Sequence, residues 1–353
     1  MAVYKIFPSA DATLYSDSIS QNTGLDEIIE FSTFNSTPSF SYTPQVSRAL
    51  IQFSDSDLSN AWDLVGESTS SVSLKLFAAN VTGLNKDTTI EVHPVSQSSW
   101  NMGTGKRYDN PVTTNGVSWT WSDYSGSNAW AQTGSTYYLE SGSVSTTVGY
   151  YSSPDLTFNI TEIARFWSSS AYNNYGIVIK QTGSDEFNTN ENTEVTLRYY
   201  SRDTHTIYPP QLEFKWDDFT FNTGSLTELN TLPATVALNE NPGIFYPESV
   251  NRFRVNSRPE YPGQIWVTSS VNTINYYLPT ASYWAIKDLD TNEYVVDFDS
   301  TYTKLSVDAS GSYFDVHMNG LEPERYYEIL IQTTLNDSTL VFANNYYFKV
   351  ING

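Results

Sequence analysis

Few residues in this chain combine a reactive side chain with the spacing that chemistry requires. The three histidines, His93, His205 and His317, lie more than a hundred residues apart on different expected elements. No H-x-x-H or H-E-x-x-H pair exists, so they read as strand or loop histidines rather than zinc ligands. Cysteine is absent, which removes thiol nucleophiles, thiolate metal sites and any disulfide framework. No G-x-S-x-G elbow precedes an expected helix. Paired carboxylates for glycoside hydrolysis stay open in a chain with 39 acids. Acids in such numbers on turns, however, are read as solvated. No catalytic residue, metal or cofactor is therefore expected.

Two acidic stretches invite a calcium reading. Asp288-Leu289-Asp290-Thr291-Asn292 has the D-x-D-x-N opening of a calcium loop, with Asp299 at its twelfth position. Its sixth position is Glu293, where an EF-hand needs glycine, and a strand follows at once, so a hairpin turn is the better reading. Asp11, Asn22 and Asp26 are candidates for a calcium site in the N-terminal half, although no spacing fixes their geometry.

Two groups of side chains suit binding better than catalysis. Trp100, Trp119, Trp121 and Trp130 fall in an irregular stretch over 98–155. They suit stacking on sugar rings, anchoring a protein–protein interface, or filling a core. Arg252, Arg254 and Arg258 alternate along one expected strand, giving either a docking edge for an acidic subunit or a row of paired surface arginines.

The elements that must position these groups are mostly strands. Val3 to Tyr15 reads as a strand pair broken at Pro8, followed by short strands at 27–31 and 48–53. A turn of helix is expected near Asn60-Ala61-Trp62. Val72 to Phe77 alternates polar and apolar residues, and Thr89 to Val95 is expected beside it. Leu156 to Ile160 leads to Thr161, expected as the N-cap of a helical turn in which Ile163, Phe166 and Trp167 share a face. Ile177 to Lys180 and Gln211 to Trp216 close this half, with Pro209-Pro210 marking the last strand's entrance. Residues 219–246 read as a linker. Beyond it seven short strands recur, at 252–255, 264–267, 283–286, 294–298, 313–316, 327–331 and 346–350, the rhythm of a second sandwich.

Composition bounds the answer. The 353 residues include 26 tyrosines, and charged residues make up only 16%. That profile favours sheets over helix bundles. The net charge of −21 is spread along the chain: residues 1–218 carry 11 basic against 24 acidic groups, and 219–353 carry 7 against 15. Direct binding to DNA or RNA is not expected, because it draws on neutralised phosphates. The N-terminus has neither a basic n-region nor an apolar h-region, so no signal peptide is expected. No apolar run is long enough to span a bilayer as a helix, and no membrane partner is expected.

The order of the pieces resembles the DNRLRE-type domain, a β-sandwich of surface and carbohydrate-associated proteins. Arg48-Ala49-Leu50-Ile51-Gln52-Phe53 looks like its arginine-led strand. Leu74-Lys75-Leu76-Phe77, Ser99-Trp100, Asn159-Ile160-Thr161 through Trp167, Asn174-Tyr175-Gly176-Ile177 and Pro210-Gln211-Leu212-Glu213-Phe214 follow in the family's order, with Asn159 standing where Asp is usual. Leu321-Glu322-Pro323-Glu324-Arg325-Tyr326-Tyr327 resembles the tyrosine-corner segment of fibronectin-type and immunoglobulin-like domains. The combination is similar to virion structural proteins of tailed, cyanophage-like marine bacteriophages.

These readings give an all-β fold, with a jelly-roll-like sandwich over 1–218, a linker over 219–246 and an Ig/fibronectin-III-like sandwich over 247–353. The resemblance implies a non-enzymatic capsid, neck or tail component, assembled in a bacterial cytoplasm and localised to the virion. Its partners would be other virion proteins and copies of itself, meeting at Trp100, Trp119, Trp121, Trp130, Arg252, Arg254 and Arg258. The alternative is a glycan-binding, host-attaching module that uses the tryptophans of 98–130. A polysaccharide depolymerase stands third.

Overall fold

A computed structural model describes residues 2–35, 44–66, 68–82, 84, 87–139, 142–149, 155–188, 193–239, 243–261, 275–343 and 346–352. Strands dominate these residues. Helix is confined to Asp55–Val65, Thr161–Ser168 and a single turn at Gly183–Glu186. The fold is all-β and sandwich-type. It divides into two compact units, one formed by Ile6–Leu64 and Ser71–Glu213, the other by Met1–Lys5, Val65–Ser70 and Phe214–Gly353.

The first unit is organised around the strand Gln45–Phe53. Leu50 pairs with Ala12 on one side and with Val178 on the other, and Val178 pairs in turn with His93. Leu14, Val46, Leu50 and Val178 point to one face of this sheet. There they pack with Trp100, Val117, Trp119 and Trp130. Ala49, Ile51 and Phe53 alternate with them onto the opposite face and are fully buried. Both faces of the strand are thus covered, and the near-continuous apolar run follows from that. The irregular stretch over 98–139 forms a layer across one face of its own sheet.

Two expectations are corrected here. Ser70–Leu76 and Thr88–Pro94 are not neighbours, because they lie in different sheets. Ser70–Leu76 pairs with Leu156–Asn159, whereas Thr88–Pro94 runs between Ile177–Gln181 and Val144–Val148. The strand Ala78–Thr82, which pairs with Thr193–Tyr200, occupies the chain between them. Thr161 is the first helical residue rather than the cap. Its N–H and hydroxyl both donate to Asn159 Oδ1, at 3.1 and 2.6 Å.

The other unit holds an Ig-like sandwich. One sheet has the order Ala234–Asn239, Val250–Pro259, Gly311–His317, Ser306–Asp308, and the other Ile244–Phe245, Tyr347–Val350, Tyr326–Leu335, Ser282–Asp288, Tyr294–Val296. This is the pairing of immunoglobulin-type domains. Trp284 from one sheet stacks on Phe314 of the other at 5.1 Å between ring centres, inside a core that also takes Phe253, Ile286, Ile329 and Phe348. Ala234–Asn239 and Ile244–Phe245 lie within the stretch read as linker. Its asparagines and prolines mask two strands of the sandwich. The strand expected at 264–267 lies outside the described residues.

Val3 joins this core, and the Asn319 amide donates to the Lys5 carbonyl at 2.7 Å. Gly320 sits at φ 81°, and a Cβ there would meet Lys5 Cβ at 2.4 Å, so the close approach needs glycine.

Candidate functional site

The densest chemistry in the first unit is a buried charge network. Arg48 donates from Nε and Nη2 to the Glu186 carboxylate at 2.6 and 2.9 Å, and from Nη1 to the Gly134 carbonyl at 2.7 Å. Its guanidinium also lies 5.1 Å from the Trp119 ring centre. Lys180 reaches Glu91 at 3.0 Å and the Gln181 carbonyl at 2.9 Å. His93 contacts Glu91 through Nε2 at 3.3 Å and the Tyr138 carbonyl through Nδ1 at 3.0 Å. Burial pushes the His93 imidazole below its ordinary range, against the pull of Glu91. Burial alone would raise Glu91, but hydrogen bonds from Lys180 and His93 hold its carboxyl down. Two cations face two carboxylates, and the bidentate Arg48–Glu186 pair satisfies both partners. The network anchors the 98–139 layer to the sheet.

A second anchor is Asn22. Its amide donates to the Met102 and Val117 carbonyls at 2.7 and 2.8 Å, and its Oδ1 accepts from Gly105 N at 2.7 Å and Gly24 N at 3.3 Å. Asp11 accepts from Arg202 N at 2.6 Å, and Asp26 from Arg107 N at 3.1 Å. Burial raises their carboxyls to about 7 and about 6 respectively. The three residues proposed for calcium are therefore held in separate backbone contacts.

The binding residues read from sequence are largely committed elsewhere. Trp100, Trp119 and Trp130 are only 7%, 8% and 5% exposed. They are core, and their rings offer no face to a sugar or a partner. Trp121 is half-buried, edge-on to Tyr124 at 5.4 Å. Arg252 forms a bidentate pair with Asp315 at 2.8 Å, and Arg254 one with Asp308 at 3.0 and 2.8 Å. Both lie over the ring of Tyr313, at 4.1 and 5.6 Å. Only Arg258, exposed on the same face, has no ion pair among the described residues. The Asp288 stretch is a hairpin turn. The buried Asp288 carboxylate accepts from Asp290 N and Thr291 N and from Arg325 at 2.6 and 2.8 Å.

Two surfaces that sequence reasoning missed are open to ligands. The first is the outer face of the Ig-like unit's larger sheet. Cross-strand pairing sets Tyr347, Glu328, Lys287 and Tyr294 in one row. Beside it runs a second row, Ile244, Lys349 and Tyr326. Ile244, Tyr294, Tyr326 and Tyr347 are each 44–54% exposed. Lys349 is paired with Glu324. The second surface is a groove of about 470 Å³ between the helix Asp55–Val65 and residues 167–174, lined by Asp55, Trp62, Asp63, Trp167, Tyr172 and Asn173 among others.

No protein-family model and no curated protein matches this chain. Among solved structures it is similar to a DUF4785 family protein from Legionella pneumophila, at 8% identity and a TM-score of 0.16, with 98% of this chain and 65% of the other covered. The chain thus spans about two thirds of that protein, and a likeness so distant carries no argument about fold or function.

Proposed function

We propose that the protein is a non-enzymatic virion structural component of a tailed phage, acting through contacts with other virion proteins and with copies of itself. The observation that carries this reading is the outer sheet face of the Ig-like unit. Tyrosine and aliphatic side chains stand exposed there in two cross-strand rows, the residue types that anchor protein interfaces. Lys287 is balanced by its cross-strand neighbour Glu328, and Lys349 by Glu324 in the turn that precedes the strand Tyr326–Leu335. A locally neutral patch on a chain of net charge −21 lets acidic subunits approach without like-charge repulsion.

Light scattering over a concentration series tests it. The wild type is expected to form a defined oligomer, or to bind a structural protein of the same virion. Tyr326→Glu with Tyr347→Glu should abolish that association while leaving the circular dichroism spectrum unchanged. A wild-type monomer that binds no virion protein would remove the reading.

A further inference from the structure

We propose that the groove between the helix Asp55–Val65 and residues 167–174 binds an uncharged pyranose sugar. The inference stands apart from the assembly reading, because it concerns a different unit and a different ligand.

The volume of about 470 Å³ falls in the range of small-ligand clefts, about 300–1,000 Å³. Its wall combines the half-buried indole of Trp62 and the half-buried phenol of Tyr172 with the carboxylates of Asp55 and Asp63 and the hydroxyls of Ser59 and Ser168. A pyranose has this same duality, with apolar C–H faces and a rim of hydroxyls. Aromatic rings meet the faces, and ionised carboxylates, which only accept, take the hydroxyl protons.

Charge narrows the class. Asp55 and Asp63 line the groove, and neither lysine nor arginine does. Uronates and sulfated sugars would meet carboxylates with nothing to offset them. The wall is also preorganised. The Asn174 amide donates to the Phe53 carbonyl and to Asp55 Oδ1, both at 2.8 Å, which fixes one carboxylate before any ligand arrives.

The test titrates the full chain with maltohexaose and cellohexaose as neutral probes and an alginate hexamer as the anionic one. Indole fluorescence and calorimetry are the readouts. At least one neutral hexamer should bind saturably and alginate should not. Trp62→Ala, which removes the half-buried ring of the wall, and Asp63→Ala, at an exposed helix position, should each weaken binding at least tenfold. Circular dichroism shows whether each variant is folded, and Asp63→Ala keeps the test decisive if Trp62→Ala is not. Failure of both neutral hexamers to bind, equal binding of alginate, or undiminished binding in the folded variants would overturn the assignment.

Discussion

The hydroxyl of Tyr327 donates to the main-chain carbonyl of Glu322 at 2.9 Å, pinning the turn that leads into the strand Tyr326–Leu335. The ring is buried and packs 5.5 Å from that of Phe348. One side chain therefore belongs to the core and to the turn at once. Tyr327→Phe keeps the ring and deletes the bond. Its expected cost is about 1 kcal/mol, the net worth of one part-buried hydrogen bond. A denaturation midpoint equal to wild type would show that the corner contributes nothing.

Arg48 and Glu186 are expected to be strongly coupled. Arg48→Leu leaves the buried Glu186 carboxylate with only Lys180 among the described residues, at 3.8 Å, and should cost about 3 kcal/mol. Arg48→Leu combined with Glu186→Leu removes both charges and should be more stable than Arg48→Leu alone. A double-mutant cycle by thermal unfolding measures this, and simple additivity would refute the coupling.

Asp11 should make stability depend on pH. Its carboxyl is raised by burial from 3.8 to about 7, with Asp203 and Asp26 adding like charge and the Arg202 N–H and guanidinium opposing. A raised native value means the contribution is full below about 3.8 and is lost as pH rises through about 7. Asp11→Asn lacks this titration. Relative to wild type, the variant should therefore gain stability between pH 4 and pH 8, read from urea midpoints. A constant difference across that window would contradict the assignment.

Asn22→Ala should loosen the 98–139 layer before it unfolds the sheet. Four hydrogen bonds are lost, two of them to the part-buried Met102 and the buried Val117 carbonyls, for about 2–4 kcal/mol in all. Trypsin cleavage after Lys106 or Arg107 should accelerate, and an unchanged digestion rate would show that the layer is held elsewhere.

What the sequence discloses follows the physics of each element. Ser70–Leu76 and Val250–Pro259 are legible because one face is buried and the period of two survives. Tyr327 is legible because a corner needs a fixed local spacing. Aperiodic aromatics such as Trp100 and Trp119 have the same composition whether they cover a sheet or face solvent, so their burial cannot be read. The Arg48–Glu186 pair spans 138 residues and leaves no local trace. The groove is equally hidden, since the helix Asp55–Val65 and residues 167–174 become neighbours only on folding.

The unit that contains Met1–Lys5 also contains Phe214–Gly353, and this sets an order on folding during synthesis. The Lys5–Asn319 bond closes a separation of 314 residues, so the first strand leaves the ribosome long before the core that receives Val3 exists. Ile6–Leu64 and Ser71–Glu213 are translated in between and can fold first. The early strand must wait, unpaired with that core, and then be captured late. Its contacts to Asn319 and Gly320 become possible only after the 314 residues that separate Lys5 from Asn319 have been added, which makes them a late checkpoint on assembly.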